Sequence, residues 1–270
     1  MKKRSESRID APTHSVESFV LAGARVRGDA LADAHNMPSK AHIKIAGKSM
    51  ISRVLSALAG SRAAGAITVI GLQDHQALQA AEVWPSVNVI SGDEGPAASV
   101  SRALDELKTS NPIIVTTCDH ALLSPTIVDA FLSRSLASNA DLTVALARRD
   151  TIEEHYPETT RTYLKLGDGE YSSCNLFCLV TPTARRAVAF WETAEQDRKR
   201  PWRITWRFGV IPALRILVGR PGLEHVFAIV SRRLSVDIRP IVLPYADAAI
   251  DVDTVEDLAL VERIVLEQAR

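Results

Sequence analysis

"SFVLAGARVRGDALADAHNMPSK", residues 18–40, begins as an apolar strand. It then spends nineteen residues, 22 to 40, on Ala, Gly, Arg, Asp, His and Lys before the next apolar pattern starts. Compact α/β folds usually join their elements through two to six residues, and a longer connection tends to be functional or disordered. Gly23 and Gly28 allow a backbone to approach a ligand closely and to turn its N–H groups toward phosphate oxygens. Arg25, Arg27 and Lys40 add the positive charge that such oxygens need. The stretch matches neither the Walker loop nor G-x-G-x-x-G, so a merely solvated basic loop is the competing reading.

Outward from this loop, strand patterns alternate with helical ones. "AITVIGL" (66–72), "VNVISGD" (87–93), "PIIVTTCD" (112–119) and "ADLTVALARR" (140–149) are Val-, Ile- and Thr-rich runs of the kind buried on both faces of a parallel sheet. Between them, Ile51, Val54, Leu55 and Leu58 repeat at helical spacing, as do Val100, Leu104 and Leu107. Ser124 is placed to cap a helix whose first residue is Pro125. This order implies a doubly wound, mostly parallel sheet with helices on both faces.

The pattern changes after Asp150. "RTYLKLGDGEYSSCNLFCLV" predicts a hairpin turning at Gly167-Asp168-Gly169, and "VDIRPIVLPY" a late strand. A closing helix is capped by Thr254 with Asp257 in the capping-box position. Residues 1–17 read as a disordered tail without the apolar core of a signal peptide. Residues 18–270 read as one domain that carries a basic, apolar helical insertion over 185–235.

Bulk properties exclude more than they assign. The 270 residues carry 32 Lys+Arg against 32 Asp+Glu, which gives no electrostatic footprint for nucleic acid. Three cysteines lack a metal-ligand spacing and read as reduced thiols of a cytoplasmic protein.

Ligands of open α/β sheets sit at the carboxyl ends of the strands, where the glycine loop lies. Asp119, in "TTCDH", reaches the same edge and has no capping task, since Ser124 starts the next helix. Asp251 and Asp253 alternate in "IDVDTVEDL" and share a face of an extended segment, where one of them can instead support the following helix. Carboxylates meeting at one edge suit Mg²⁺, which takes one or two of them together with phosphate oxygens and water.

Four of these stretches occur in an order that resembles the MobA-like nucleotidyltransferases. That family includes molybdenum-cofactor guanylyltransferase, methylerythritol-phosphate cytidylyltransferase and sugar-1-phosphate nucleotidyltransferases. "LAGARVRG" is similar to its L-A-G-G loop, and Lys40 stands seven residues before Gly47 of "GKSM", the family's spacing. "DEGPAASVSRAL" (93–104) is similar to its base-side segment, "TTCDHALLS" to its D-x-P-L-L stretch, and "DVDTVEDLALVE" to its closing motif. Ala24 replaces the second glycine, while Ser49 and Ala121 stand where the family has proline.

The resemblance implies a GT-A fold and transfer of a nucleoside monophosphate from a triphosphate to a phosphorylated small-molecule or lipid-linked acceptor. It implies that Leu21, Ala22, Gly23 and Ala24 cradle the nucleotide, that Gly95, Pro96, Ala97 and Ser99 line the base, and that Lys40 with Arg25 or Arg27 meets the phosphates. Asp119 and Asp253 then hold Mg²⁺. A GT-A glycosyltransferase and a non-catalytic nucleotide-binding module are the competing readings. Residues 198–222 combine arginines with Trp202, Trp206 and Phe208. They suit either packing on the sheet or on a second subunit, or peripheral contact with the inner face of a membrane.

Overall fold

Alternate residues of the first strand serve opposite faces. Val20 packs into one apolar cluster and Phe19 into another on the far side of the sheet, which is why the strand's second half, Phe19–Leu21, is continuously apolar instead of alternating. In the computed structural model, which describes residues 15–23, 29–74, 78, 87–196 and 221–268, that strand lies in the interior of the sheet. β1 (Val16–Leu21) pairs in parallel with β4 (Ala64–Ile70) on one side and with β6 (Ile113–Thr117) on the other, and β4 pairs in parallel with β5 (Val87–Ile90). β1 begins at Val16, two residues inside the stretch expected to be a disordered tail.

The second half departs from a simple parallel series. β7 (Leu142–Arg148) does not lie beside β6. β9 (Gly169–Leu179) runs antiparallel between them, and β10 (Ile238–Leu243) adds in parallel to the outer side of β7. The path is therefore β10-β7-β9-β6-β1-β4-β5, with β8 (Leu164–Leu166) paired to β9. The hairpin read at 167–169 is the β8–β9 turn, where Gly169 has φ +150°, a conformation side chains disfavour. A small hairpin of β2 (Lys44–Ile45) and β3 (Lys48–Ser49) stands apart.

Helices cover both faces. α2 (Met50–Ala59), α4 (Pro125–Ala137) and α8 (Val255–Gln268) bury Leu55, Phe131 and Val261 in the larger cluster. α3 (Pro96–Leu107) and α6 (Arg185–Gln196) bury Val100, Leu104 and Val188 on the other face. Each fully buried side chain of this kind contributes about 1.5–3 kcal/mol. The caps read from sequence are in place. Ser124 Oγ accepts from the Ile127 N–H at 3.3 Å, and Thr254 and Asp257 exchange reciprocal bonds at 3.1 and 3.0 Å. α7 (Leu223–Leu234) leads into β10. Of the proposed insertion, residues 197–220 lie outside the described residues, and with them nearly all of the 198–222 segment. Among the described residues no helix is long and apolar enough to cross a membrane.

Candidate active site

The loop after β1 is shorter than its sequence suggests. Asp29 caps a helical turn, α1 (Ala30–Ala34), accepting from the N–H groups of Leu31 and Ala32 at 3.1 and 3.3 Å. Leu31 and Ala32 are buried. An alanine-rich run behind an aspartate cap is good helix sequence, so the second half of the stretch is structured. Ala24, Arg25, Val26, Arg27 and Gly28 lie outside the described residues. The roles expected of Ala24, Arg25 and Arg27 therefore rest on the sequence.

At the loop's base, the Ala22 N–H donates to the Ile70 carbonyl and the Cys118 N–H to the Leu21 carbonyl, both extending the sheet past β1. Gly23 follows at the carboxyl edge. Beside it sit two glycines that the sequence reading passed over. A Cβ on Gly71 would come within 2.9 Å of the Gly23 Cα, and one on Gly92 within 3.0 Å of the Gly71 Cα. Gly71 also has φ +84°. The ends of β4 and β5 thus press backbone on backbone, Gly71 against Gly23 and Gly92 against Gly71, with little room for a side chain at Gly71 or Gly92, leaving a smooth floor beside the end of β1. "VIGL" and "VISGD" carried the signal, a glycine one or two residues past each strand.

Lys40 rises beside this floor from a short 3₁₀ turn, Lys40–His42. Its neighbours Ala41 and Ile43 are buried. His42 clamps the turn, with Nδ1 3.0 Å from Ser39 Oγ and Nε2 3.1 Å from the Asp74 carbonyl. Although Ser, His and Asp meet here, the short link from His42 reaches a backbone carbonyl and the Ser39 hydroxyl is buried. The arrangement holds Lys40 in place and is not a nucleophile relay. Lys44, by contrast, lies exposed in the β2–β3 hairpin.

Asp119 ends the short turn that follows β6. Thr117 Oγ1 donates to its Oδ1, and its own carbonyl accepts the Val252 N–H at 3.1 Å. That backbone bond ties the distant 251–253 segment to the edge of the sheet. The ammonium of Lys40 consequently lies between two carboxylates, contacting Asp119 Oδ2 and standing 2.7 Å from Asp253 Oδ1. The Lys40 and Asp119 side chains are 14% and 8% exposed, whereas Asp253 is 44% exposed and open to solvent. Burial opposes the charge on Lys40, but Asp119 and Asp253 outweigh it and hold its pKa above the ordinary lysine value.

Asp251 does not join them. Arg161 pairs with its Oδ1, and Asn175 Nδ2 donates to its Oδ2 at 2.8 Å. Residues 251–253 are not a strand, so the alternation that suggested one shared face does not bring the two carboxylates to one partner. Beside Asp119, Cys118 is buried, which pushes its thiol up to about 12 and leaves it inert as a nucleophile.

The segment expected to line the base, Gly95, Pro96, Ala97 and Ser99, opens a helix. Gly95, with φ +115°, caps α3 and Pro96 occupies its first turn. Ala97 and Ser99 are buried. Ser99 Oγ accepts the Asp93 N–H at 2.8 Å, so its hydroxyl shapes the 93–95 turn. The Ala97 N–H donates to Glu195 Oε2 at 3.1 Å, and a Cβ on Gly95 would meet the same oxygen at 2.8 Å. Glu195, from the end of α6, thus faces the amino end of α3, a place where negative charge is favoured. No motif in the sequence announced it.

Among the described residues no group of three or more His, Cys, Asp or Glu side chains could hold a metal ion. Asp119 and Asp253 nevertheless surround a positive charge from two sides, which fits an ion that completes its shell with phosphate oxygens and water.

A family model for the MobA-like NTP transferase domain matches residues 35–233. The chain belongs to that family. The match includes Lys40 and Asp119 and leaves the glycine loop and Asp253 outside it. A hypothetical transferase from Thermus thermophilus is 28% identical, covering 90% of this chain and 99% of its own, with a TM-score of 0.77. A 4-diphosphocytidyl-2C-methyl-D-erythritol synthase (11% identical, 94% and 100% covered) has a TM-score of 0.57. A CMP:2-keto-3-deoxy-manno-octonic acid synthetase complexed with CTP (13%, 95% and 100%) also has 0.57. At those identities the likeness is one of fold, and it gives this MobA-like domain a GT-A-like fold. No curated protein is similar enough to count as a match.

Proposed function

We propose that the protein transfers a nucleoside monophosphate from a nucleoside triphosphate to a phosphorylated acceptor, with Mg²⁺ held by Asp119 and Asp253. The observation that carries this reading is the convergence of Lys40, Asp119 and Asp253 at the carboxyl edge of β1 and β6, beside the glycine floor. Family membership supports nucleotidyl transfer in general. The proposed acceptor is a phosphorylated small molecule or a lipid-linked phosphate.

In this reaction an acceptor phosphate oxygen attacks the α-phosphorus, the bond to the bridging oxygen of the β-phosphate breaks, and pyrophosphate leaves with that electron pair. The chemistry demands alignment and charge neutralisation more than a side-chain nucleophile. Lys40, fixed on its clamped turn, places a cation where the leaving group gathers charge. The floor of Gly23, Gly71 and Gly92 lets the nucleotide lie against the backbone. Thr117 orients the Asp119 carboxylate, and the Val252–Asp119 backbone bond keeps Asp253 within reach. Asp119 and Asp253 would hold Mg²⁺, which would supply further neutralisation of the phosphate charge.

The test is thermal unfolding with each of the four nucleoside triphosphates, with Mg²⁺ and with EDTA. A ligand at a hundred times its Kd stabilises by about 2.7 kcal/mol. One nucleotide should raise the melting temperature in a Mg²⁺-dependent way, and Lys40→Ala should remove most of the rise. Absence of a shift with all four would refute the reading.

A further inference from the structure

Lys40 is assigned by its sequence position to the phosphates, yet in the structure its ammonium is spent on Asp119 and Asp253. It sits between the two carboxylates that the proposed function gives to the metal ion. The lysine supplies one positive charge against two negative ones, so half of the pair's charge is neutralised before any ligand arrives. Its Cα is pinned by the buried Ala41 and by the His42 clamp, so only the four-carbon stem can move. A divalent ion entering while the ammonium stays would face a like charge at contact distance, an unfavourable arrangement.

We propose that Lys40 is the resident counter-ion of the Asp119–Asp253 pair, and that the triphosphate draws it away as the metal ion takes its place. Metal and nucleotide then enter together, and the bare protein has little affinity for a divalent cation. The inference rests on the reading of Asp119 and Asp253 as the metal-holding pair. It makes Lys40 a switch between two anionic partners, the carboxylates before nucleotide binding and the phosphates after it. The benefit is physical. Two carboxylates held close without a cation would repel each other, and Asp119 is almost fully buried.

The experiment measures Mn²⁺ binding to the full chain without nucleotide, by electron paramagnetic resonance of the free ion, together with the melting temperature with and without Mn²⁺. Wild type, Lys40→Met, Lys40→Gln and Lys40→Met/Asp119→Asn are compared. Lys40→Met should bind Mn²⁺ at least about tenfold more tightly than wild type, because the competing charge is gone. It should melt below wild type without the ion and recover when Mn²⁺ is added, whereas wild type should hardly respond. Lys40→Gln should behave alike, which guards against a packing artefact of one replacement. The added affinity should vanish in the double variant.

Equal Mn²⁺ affinity in wild type and both Lys40 variants, lost in Lys40→Met/Asp119→Asn, would overturn the switch and leave the metal site standing. Tightening that survives Asp119→Asn would put the ion elsewhere and overturn both.

Discussion

Two acidic corners stand two residues apart in the chain and do opposite work. At one, Asp251 is closed in by Arg161 and Asn175, with the Arg161 and Asp251 side chains only 12% and 15% exposed. Every oxygen has a partner, and the pair joins the 251–253 segment to the 161 loop and to β9. At the other, Asp253 is largely open and shares a mobile-stemmed lysine with Asp119. The first corner resembles a structural pin. The second holds charges that a ligand can rearrange. Alternating carboxylates in one motif are therefore not equivalent, and what separates them is whether a rigid, planar guanidinium or a flexible ammonium answers them.

The largest effect expected is at the second corner. Asp119→Asn keeps the volume, the Thr117 contact and the Lys40–Asp253 ion pair but removes one charge, so turnover should fall by at least about a thousandfold while the melting temperature falls less than when an ion-pair partner is left wholly unpaired. Pyrophosphate release measured beside a thermal scan checks both halves. Near-normal turnover would remove Asp119 from the site and make the two corners alike.

Asp251→Ala should show the reverse. Taking one partner from a mostly buried ion pair costs about 3–5 kcal/mol, because the other charge stays behind unpaired. Denaturant unfolding reads the loss. The double replacement Arg161→Met/Asp251→Leu should recover most of it. A single variant as stable as wild type would show that the pin bears no strain and that the contrast between the corners is only one of exposure.

How much of this was legible beforehand depends on the range of the interactions. Strand runs, the Ser124 and Thr254 caps and the Gly167–Gly169 turn are local devices, written within a few residues of where they act, and they read correctly. Lys40, Asp119 and Asp253 could be brought to one edge because strand ends and motif order fix them there. What failed to read was non-local. β9 slips between β6 and β7 because a later hairpin completes the sheet, and nothing in β6 or β7 signals the gap. Glu195 reaches Ala97 across 98 residues. The partners of Asp251 come from a loop and a strand whose own sequences resemble ordinary surface. The glycine floor was readable in principle, since Gly71 and Gly92 follow strands as Gly23 does, but only the fold shows that the three backbones touch.

His120 lies beside both corners and sharpens their comparison through pH. Its ring is buried, and neither nitrogen has a hydrogen-bond partner among the described residues. Burial lowers its pKa below the usual 6.5, outweighing the Asp119 and Asp251 carboxylates that act the other way. Between the folded and unfolded values the unfolded chain binds a proton that the native state does not. This contribution is therefore full above about pH 6.5 and is lost as pH falls below it, at up to about 1.4 kcal/mol per pH unit. Urea midpoints from pH 8 to 5 should fall less steeply for His120→Leu than for wild type. Parallel curves would mean that the carboxylates, and not burial, govern the ring.

The smallest effect expected separates the two lysines nearest the loop. Lys40 and Lys44 are four residues apart and equally charged, and a basic-loop reading would treat them alike. Lys40 is clamped on a buried turn between carboxylates, whereas Lys44 is exposed on a two-residue strand of a separate hairpin. A lone exposed lysine contributes within about 0.5 kcal/mol to stability. It also lies on an element whose neighbours, Ile43 and Ile45, are buried while it points to solvent. Lys44→Ala should therefore leave the melting temperature, the nucleotide-induced shift and turnover close to wild type, under conditions where Lys40→Ala loses most of the shift. If the two substitutions weakened triphosphate binding equally, positive charge near the loop would be all that matters. The geometry around Lys40, and with it the distinction between a pinned corner and a working one, would then carry no functional weight.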